Sequence, residues 1–217
     1  MRKYKNRYEA GKILAKRLSS YTKNQNVLVL ALPRGGVPIA YEVARFLQVP
    51  LDVFVVRKLG VPGQSELALG AIASGGITVF NESVIKDYRI STEEIEAVIE
   101  KEKKELHRRE MTYRGDHSFT NLQNKIIILI DDGMATGATI YAAIKALSLM
   151  NLAKLIVAVP VAPQQEAQEM KSLVDEWICP LEVENLHSVG NWYDDFEQTE
   201  DNEVYQLLNN IRILSIS

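Results

Sequence analysis

Asp131 and Asp132 stand together at the end of an apolar run, Ile126 to Ile130, and Gly133-Met134-Ala135-Thr136-Gly137-Ala138-Thr139 follows at once. Paired carboxylates accept hydrogen bonds from hydroxyl groups or bind a hard cation. The segment after them supplies small residues, two hydroxyls and the opening of a helix, whose free amides and dipole favour an anion. Two acids beside a phosphate cradle would repel a bare phosphate. A ligand that offers hydroxyls to the acids and a phosphate to the loop resolves the conflict, and a ribose 5-phosphate has both. The run is apolar on both faces, so it reads as a strand inside a covered parallel sheet. That places the acids at the carboxyl edge, where open α/β sheets bind ligands. The sequence has no GxxxxGK-S/T segment and no GxGxxG after a strand, so neither a P-loop nor a dinucleotide site is indicated.

Two further segments carry charge at strand ends. Pro33-Arg34-Gly35-Gly36 lies in the first strand-to-helix turn. Its two glycines let backbone amides turn onto an anion while Arg34 adds a cation. Arg57-Lys58 ends the next apolar run, and Gly60, Pro62, Gly63 and Gly70 then punctuate what reads as a mobile loop.

Residues 126–139 resemble the 5-phosphoribosyl 1-diphosphate (PRPP) signature of the type I phosphoribosyltransferases: a hydrophobic run, two acids, a short loop, then TG and a hydroxyl residue. The resemblance implies that Asp131 and Asp132 hold the ribose hydroxyls and that Ala135, Thr136, Gly137, Ala138 and Thr139 wrap the 5-phosphate. It implies that Arg34, Gly35 and Gly36 hold the diphosphate with Arg57 and Lys58, and that Gln64 to Leu69 folds over the substrate on glycine hinges. RKLGVPGQSELALG is similar to the flexible loop of adenine phosphoribosyltransferases, which makes Glu66 the loop acid. Hypoxanthine-guanine enzymes carry an Asp where this chain has Ala135, which argues against their mechanism here. The segment 186–196, LHSVGNWYDDF, resembles their base-binding stretch. On that alignment His187 stacks on the acceptor and the Ser188 backbone reads its edge, with Trp192 and Tyr193 as alternative stacking groups, and Asp194 faces the metal-diphosphate, joining Asp131 and Asp132 around Mg2+. Nearly the whole chain, from NRYEAGKILAKRL to VGNWYDDFEQ, is similar to a group of phosphoribosyltransferases of unassigned acceptor.

The positioning elements follow from periodicity. Strands are expected at Asn26 to Leu32, Leu51 to Val56, Leu67 to Ala73, Ile77 to Phe80, Ile126 to Ile130, Lys154 to Val161 and Trp177 to Val183. Helices are expected around Tyr8 to Leu18, Val37 to Leu47, Gln164 to Leu173 and Glu200 to Ile213, with another from the Ser91-Thr92-Glu93-Glu94 capping box to about Glu110. This alternation predicts an α/β fold, doubly wound on a mainly parallel central sheet. The expected plan is a single domain over 1–217, with core and PRPP site in 26–160, a small lid from 1–25 and 180–217, and a helical insertion at 81–118.

At 217 residues, 47% hydrophobic, 24% charged and with a net charge of -3, the chain is ordinary for a globular protein and offers no overall basic field. Its single cysteine, Cys179, excludes an internal disulfide and fits a reducing compartment. The charged N-terminus does not read as a secretory signal, and no run reaches membrane-spanning length, so a cytoplasmic protein is expected. The expectation is a Mg2+-dependent transferase that moves 5-phosphoribosyl from PRPP to a nitrogenous acceptor, with purine-like nucleobases among the candidates and a homodimer within the expectation. Membrane and nucleic-acid partners are not expected. The rival readings are a PRPP-sensing regulator that binds nucleic acid, kept open by Lys101, Lys103, Lys104, Arg108 and Arg109, and a PRPP or nucleotide hydrolase.

Overall fold

The structure is a computed structural model that describes residues 3–216, with side chains except at 65 and 213–216. Residues 1, 2 and 217, at the ends of the expected lid segments, lie outside the described residues. The chain begins α1 (Arg7–Arg17), β1 (Val27–Ala31), α2 (Gly36–Leu47), β2 (Leu51–Val53). An antiparallel unit follows, β3 (Val56–Val61), β4 (Gln64–Ala73) and β5 (Ile77–Phe80), then α3 (Glu82–Asp87) and α4 (Thr92–Arg114). The second half runs β6 (Ile126–Ile130), α5 (Ala138–Ser148), β7 (Lys154–Ala158), β8 (Val161–Pro163), α6 (Gln164–Lys171), β9 (Glu176–Ile178), β10 (Leu181–Val183) and α7 (Asp201–Ile216).

The central sheet has the order β2-β1-β6-β7-β9, and every pairing in it is parallel. Side chains alternate across a strand, so each apolar run feeds two cores. Val27, Val29, Ile128 and Ile130 pack with α1, α2 and α7; Leu28, Leu30, Ile127 and Leu129 pack with α5 and α6. Burial of each such side chain contributes on the order of 2 kcal/mol. The central position of β6 carries Asp131 and Asp132 to the middle of the carboxyl edge, as the apolar pattern predicts.

Three expectations change in the fold. The apolar run from Leu51 does not end at Arg57-Lys58: its parallel pairing stops at Val53, and the chain then leaves for a second sheet. Ser74 fixes this switch, since its amide donates to the Val55 carbonyl and its Oγ accepts from the Val55 amide. The expected mobile loop is instead an antiparallel hairpin of β3 and β4 that turns at Pro62-Gly63, with its own small core of Leu59, Val61, Leu69 and Ile72 against α3 and α4. Gly70 is no hinge. A Cβ there would lie 2.3 Å from the Val79 carbonyl oxygen, so glycine is needed for the close approach of β5. The expected strands at Lys154 to Val161 and Trp177 to Val183 each divide, because β8 and β10 leave the central sheet and pair with each other.

Helix ends behave as their residues dictate. Asn6 caps α1 by accepting from the Glu9 amide, which fixes Arg7 in the first turn. Ser91 and Glu94 form the expected capping box of α4. The far end of α4 is pinned by Arg114, almost fully buried, whose guanidinium donates to Asp52 Oδ1 at 2.8 Å, to Glu110 Oε1 at 2.8 Å and to the Val53 carbonyl.

Candidate functional site

Two segments distant in sequence meet at the carboxyl edge. The Leu32 amide donates to the Ile130 carbonyl at 2.9 Å, which lays the Pro33–Gly36 turn beside the two acids. The approach is close enough to require glycine. A Cβ on Gly35 would lie 2.0 Å from Asp132 Oδ2, and one on Gly36 would lie 2.7 Å from the Ile130 carbonyl oxygen. The Pro33-Arg34 peptide is cis.

Beyond the acids, Gly137 adopts a left-handed conformation with φ 74° and caps α5. A threonine at 136 would suit a hydroxyl cap, but no side-chain cap bond forms. The first amides of an α-helix have no intrahelical partner, and those of α5 open onto a cavity of about 200 Å3 lined by Asp131, residues 133–140 and Val189. Val189 packs on Gly133, where a Cβ would lie 2.6 Å from its Cγ1.

The electrostatics are dominated by burial. Desolvation raises Asp131 well above the usual carboxylate range, and the charge of Asp132 pushes the same way. Asp132 is also raised by burial, opposed by Arg7. Arg7 Nε and Nη2 donate to Asp132 Oδ2 at 3.0 and 2.8 Å, while Nη1 donates to the Glu197 carbonyl at 2.6 Å. The guanidinium lies over the Phe196 ring, 3.8 Å from its centroid. The Tyr193 hydroxyl donates to the Asp132 carbonyl oxygen at 2.6 Å.

Residues 3–192 match the family model of the phosphoribosyl transferase domain. The chain belongs to that family. It is 41% identical over 209 residues to a Mycobacterium tuberculosis H37Rv protein named "Putative phosphoribosyl transferase Rv0571c", an alignment covering 96% of this chain and 47% of that protein. The chain therefore spans about half the length of the curated relatives it matches. The crystal structure of TT1426 from Thermus thermophilus aligns with a TM-score of 0.84 at 34% identity, covering 97% of this chain and 99% of that one. AQ2163 protein from Aquifex aeolicus shares the fold alone, with a TM-score of 0.50 at 10% identity over 85% of this chain and 78% of that one. The α/β fold with its five-stranded parallel sheet is that of the type I phosphoribosyltransferases.

Within this family fold the residues singled out from sequence fall into three groups. Arg34 to Gly36, Asp131, Asp132 and Ala135 to Thr139 lie along one edge. The Arg34 guanidinium leans toward Asp201 of α7, with Nη1 3.5 Å from Oδ1, and the Tyr113 hydroxyl donates to the same oxygen. Arg57, Lys58 and Glu66 line a different cavity, of about 640 Å3, between the β3–β4 hairpin and α4, which shares no lining residue with the first. There Arg57 donates twice to Glu102, and Lys58 is 3.7 Å from the exposed Glu66 carboxylate.

The third group is the 186–196 segment. His187, Ser188 and Asp194 are exposed, and Trp192 packs partly against the core. Tyr193 is buried between Tyr4 and Phe196, so its ring supports the site from behind and offers no face to an acceptor. Asp194 does not join the acid pair: among the described residues no three His, Cys, Asp or Glu side chains form a metal-holding group. Also among them, no helix is long and apolar enough to cross a membrane. Sequence reasoning missed Arg7, Glu102 and Asp201. Asn6 signals a helix start, but nothing local pairs Arg7 with an acid 125 positions away.

Proposed function

We propose that the chain binds PRPP along this edge and, with Mg2+, transfers its 5-phosphoribosyl group to a nitrogenous acceptor, releasing pyrophosphate. The observation that carries the reading is the packing of the Arg34–Gly36 turn against Asp131 and Asp132, beside the open amides of α5. It supplies, on one edge, amides for a 5-phosphate, acids for ribose hydroxyls, and a cation with a glycine turn for a diphosphate.

The acid pair fits Mg2+ of the kind that keeps most of its ligands from substrate phosphates and water and takes only one or two carboxylates from protein. Asp131 and Asp132 would hold it, and the chemistry it would supply there is charge neutralisation on the leaving diphosphate. What the chain itself contributes is placement: the acids fix the sugar and tolerate positive charge developing on it, while the α5 amides anchor the phosphate. Ala135 puts no titratable group in the phosphate loop, so the acceptor's proton has no base there. A purine-like nucleobase is the acceptor class to try first.

The test is a thermal melt with PRPP and Mg2+. At ~100 times the dissociation constant a bound ligand stabilises by about 2.7 kcal/mol, so the midpoint rises, and Asp132→Asn abolishes the rise. No shift at saturating PRPP refutes the reading. Pyrophosphate release that requires a nucleobase identifies the transferase, and release without any acceptor identifies a hydrolase.

A further inference from the structure

Arg7 lies outside the phosphate loop and the diphosphate turn, yet it makes the closest charged contact to the acid pair. Both of its bonds to Asp132 converge on one oxygen, Oδ2. That oxygen is also pressed against Gly35, whose position leaves no room for a Cβ. Oδ2 is thus enclosed between an arginine and a glycine, and Oδ1 is the oxygen not committed to Arg7. The arginine is equally constrained. It is buried, stacked on Phe196 and tied to the Glu197 carbonyl.

Its supports come from both ends of the chain. The Tyr4 amide donates to the Trp192 carbonyl, and the Asp194 and Asp195 amides donate to the Tyr4 and Lys5 carbonyls. The segment after Trp192 then presents Phe196 and Glu197 to Arg7 and the Tyr193 hydroxyl to the Asp132 backbone. A surface ion pair has no need of such a frame. A buried carboxylate that must offer one defined acceptor does, since its side chain otherwise turns freely about its last torsion.

We propose that Arg7 is a positioning residue: it holds Oδ2 of Asp132, so that Oδ1 is the oxygen left for ligand and accepts from a ribose hydroxyl, and so sets the preference for ribose over deoxyribose phosphates. The proposal rests on the phosphoribosyl reading above. Arg7 touches no reacting atom. It acts through the orientation of Asp132, and Phe196 and Glu197 act through Arg7.

The experiment is calorimetric titration of the full chain with ribose 5-phosphate and with 2-deoxyribose 5-phosphate, for wild type, Arg7→Lys, Arg7→Met and Phe196→Leu. A hydrogen bond to a charged group is worth enough to change affinity by about tenfold or more, so wild type is expected to prefer ribose 5-phosphate by that factor. Arg7→Met loses the preference by weakening ribose 5-phosphate while 2-deoxyribose 5-phosphate binds as before. Arg7→Lys keeps the charge without the two-bond grip and recovers little of it, and Phe196→Leu, which leaves Arg7 in place, falls between. Arg45→Ala, which breaks a pair with Glu42 on α2, changes nothing. Equal weakening of both sugars in the Arg7 variants, or an unchanged preference, overturns the positioning role while leaving the phosphoribosyl reading intact. A wild-type chain that binds neither sugar phosphate overturns this proposal, and the phosphoribosyl reading falls with it only when PRPP and Mg2+ also leave the melt unshifted.

Discussion

Arg57 of β3 donates through Nε and Nη2 to the same oxygen of Glu102, at 2.9 and 2.6 Å, and so ties the hairpin to α4. The contact engages the cation that the family resemblance assigns to a diphosphate. Glu102→Gln weakens the tie. A partly exposed ion pair contributes about 0.2–1 kcal/mol, so PRPP affinity should rise by up to about fivefold if Arg57 serves the ligand. Calorimetry at constant salt measures it, and an unchanged affinity makes the pair a purely structural staple.

Gly35→Ala tests the contact between the turn and the acids. Gly35 has an ordinary helical φ of -59°, so backbone conformation is not the obstacle. The new Cβ must displace the Asp132 carboxylate, 2.0 Å away. Overpacking of this kind costs about 1–3 kcal/mol. A lowered urea midpoint and the loss of the PRPP-induced melting shift are expected together, and a variant that keeps both rules out the close approach.

Arg114→Met should be among the most damaging single changes away from the site. It strips Asp52, which is 4% exposed, of its cation. Removing one partner of a buried pair costs about 3–5 kcal/mol, because the other charge stays buried and uncompensated. Denaturant unfolding should show that loss, while Lys103→Met, on the exposed face of α4, should lie within about 0.5 kcal/mol of wild type.

Cys179 should be slow to react. Burial pushes its thiol up to about 12, and its Sγ is 3.3 Å from the Leu181 carbonyl. The thiolate is the nucleophile, so at pH 8 modification by a disulfide reagent should be on the order of a hundredfold slower in the folded chain than in urea. Equal rates would show the thiol to be open to solvent.

Much of the carboxyl edge is legible because its signals are local. The unbroken apolar runs of β1 and β6 report burial on both faces, and turn glycines report close approaches such as that of Gly36 to Ile130. The hairpin reads as a mobile loop for a physical reason. Gly60, Gly63 and Gly70 look alike in sequence, but only Gly63 needs a left-handed turn, whereas Gly70 makes room for a neighbouring strand. Arg57-Lys58 reads as a strand end because a run of apolar residues does not show where it changes partners.

The sequence by itself determined the strand, the acid pair and the glycine-containing loop into α5 within residues 126–139, because backbone propensity, side-chain period and helix-start chemistry act over a few residues. Only the tertiary structure decided which charges meet. Arg7 on Asp132, Arg57 on Glu102 and Arg34 leaning on Asp201 span 125, 45 and 167 positions. Each pairing depends on the path of the chain between its members, and a charged residue in sequence carries no record of the partner that burial will bring to it.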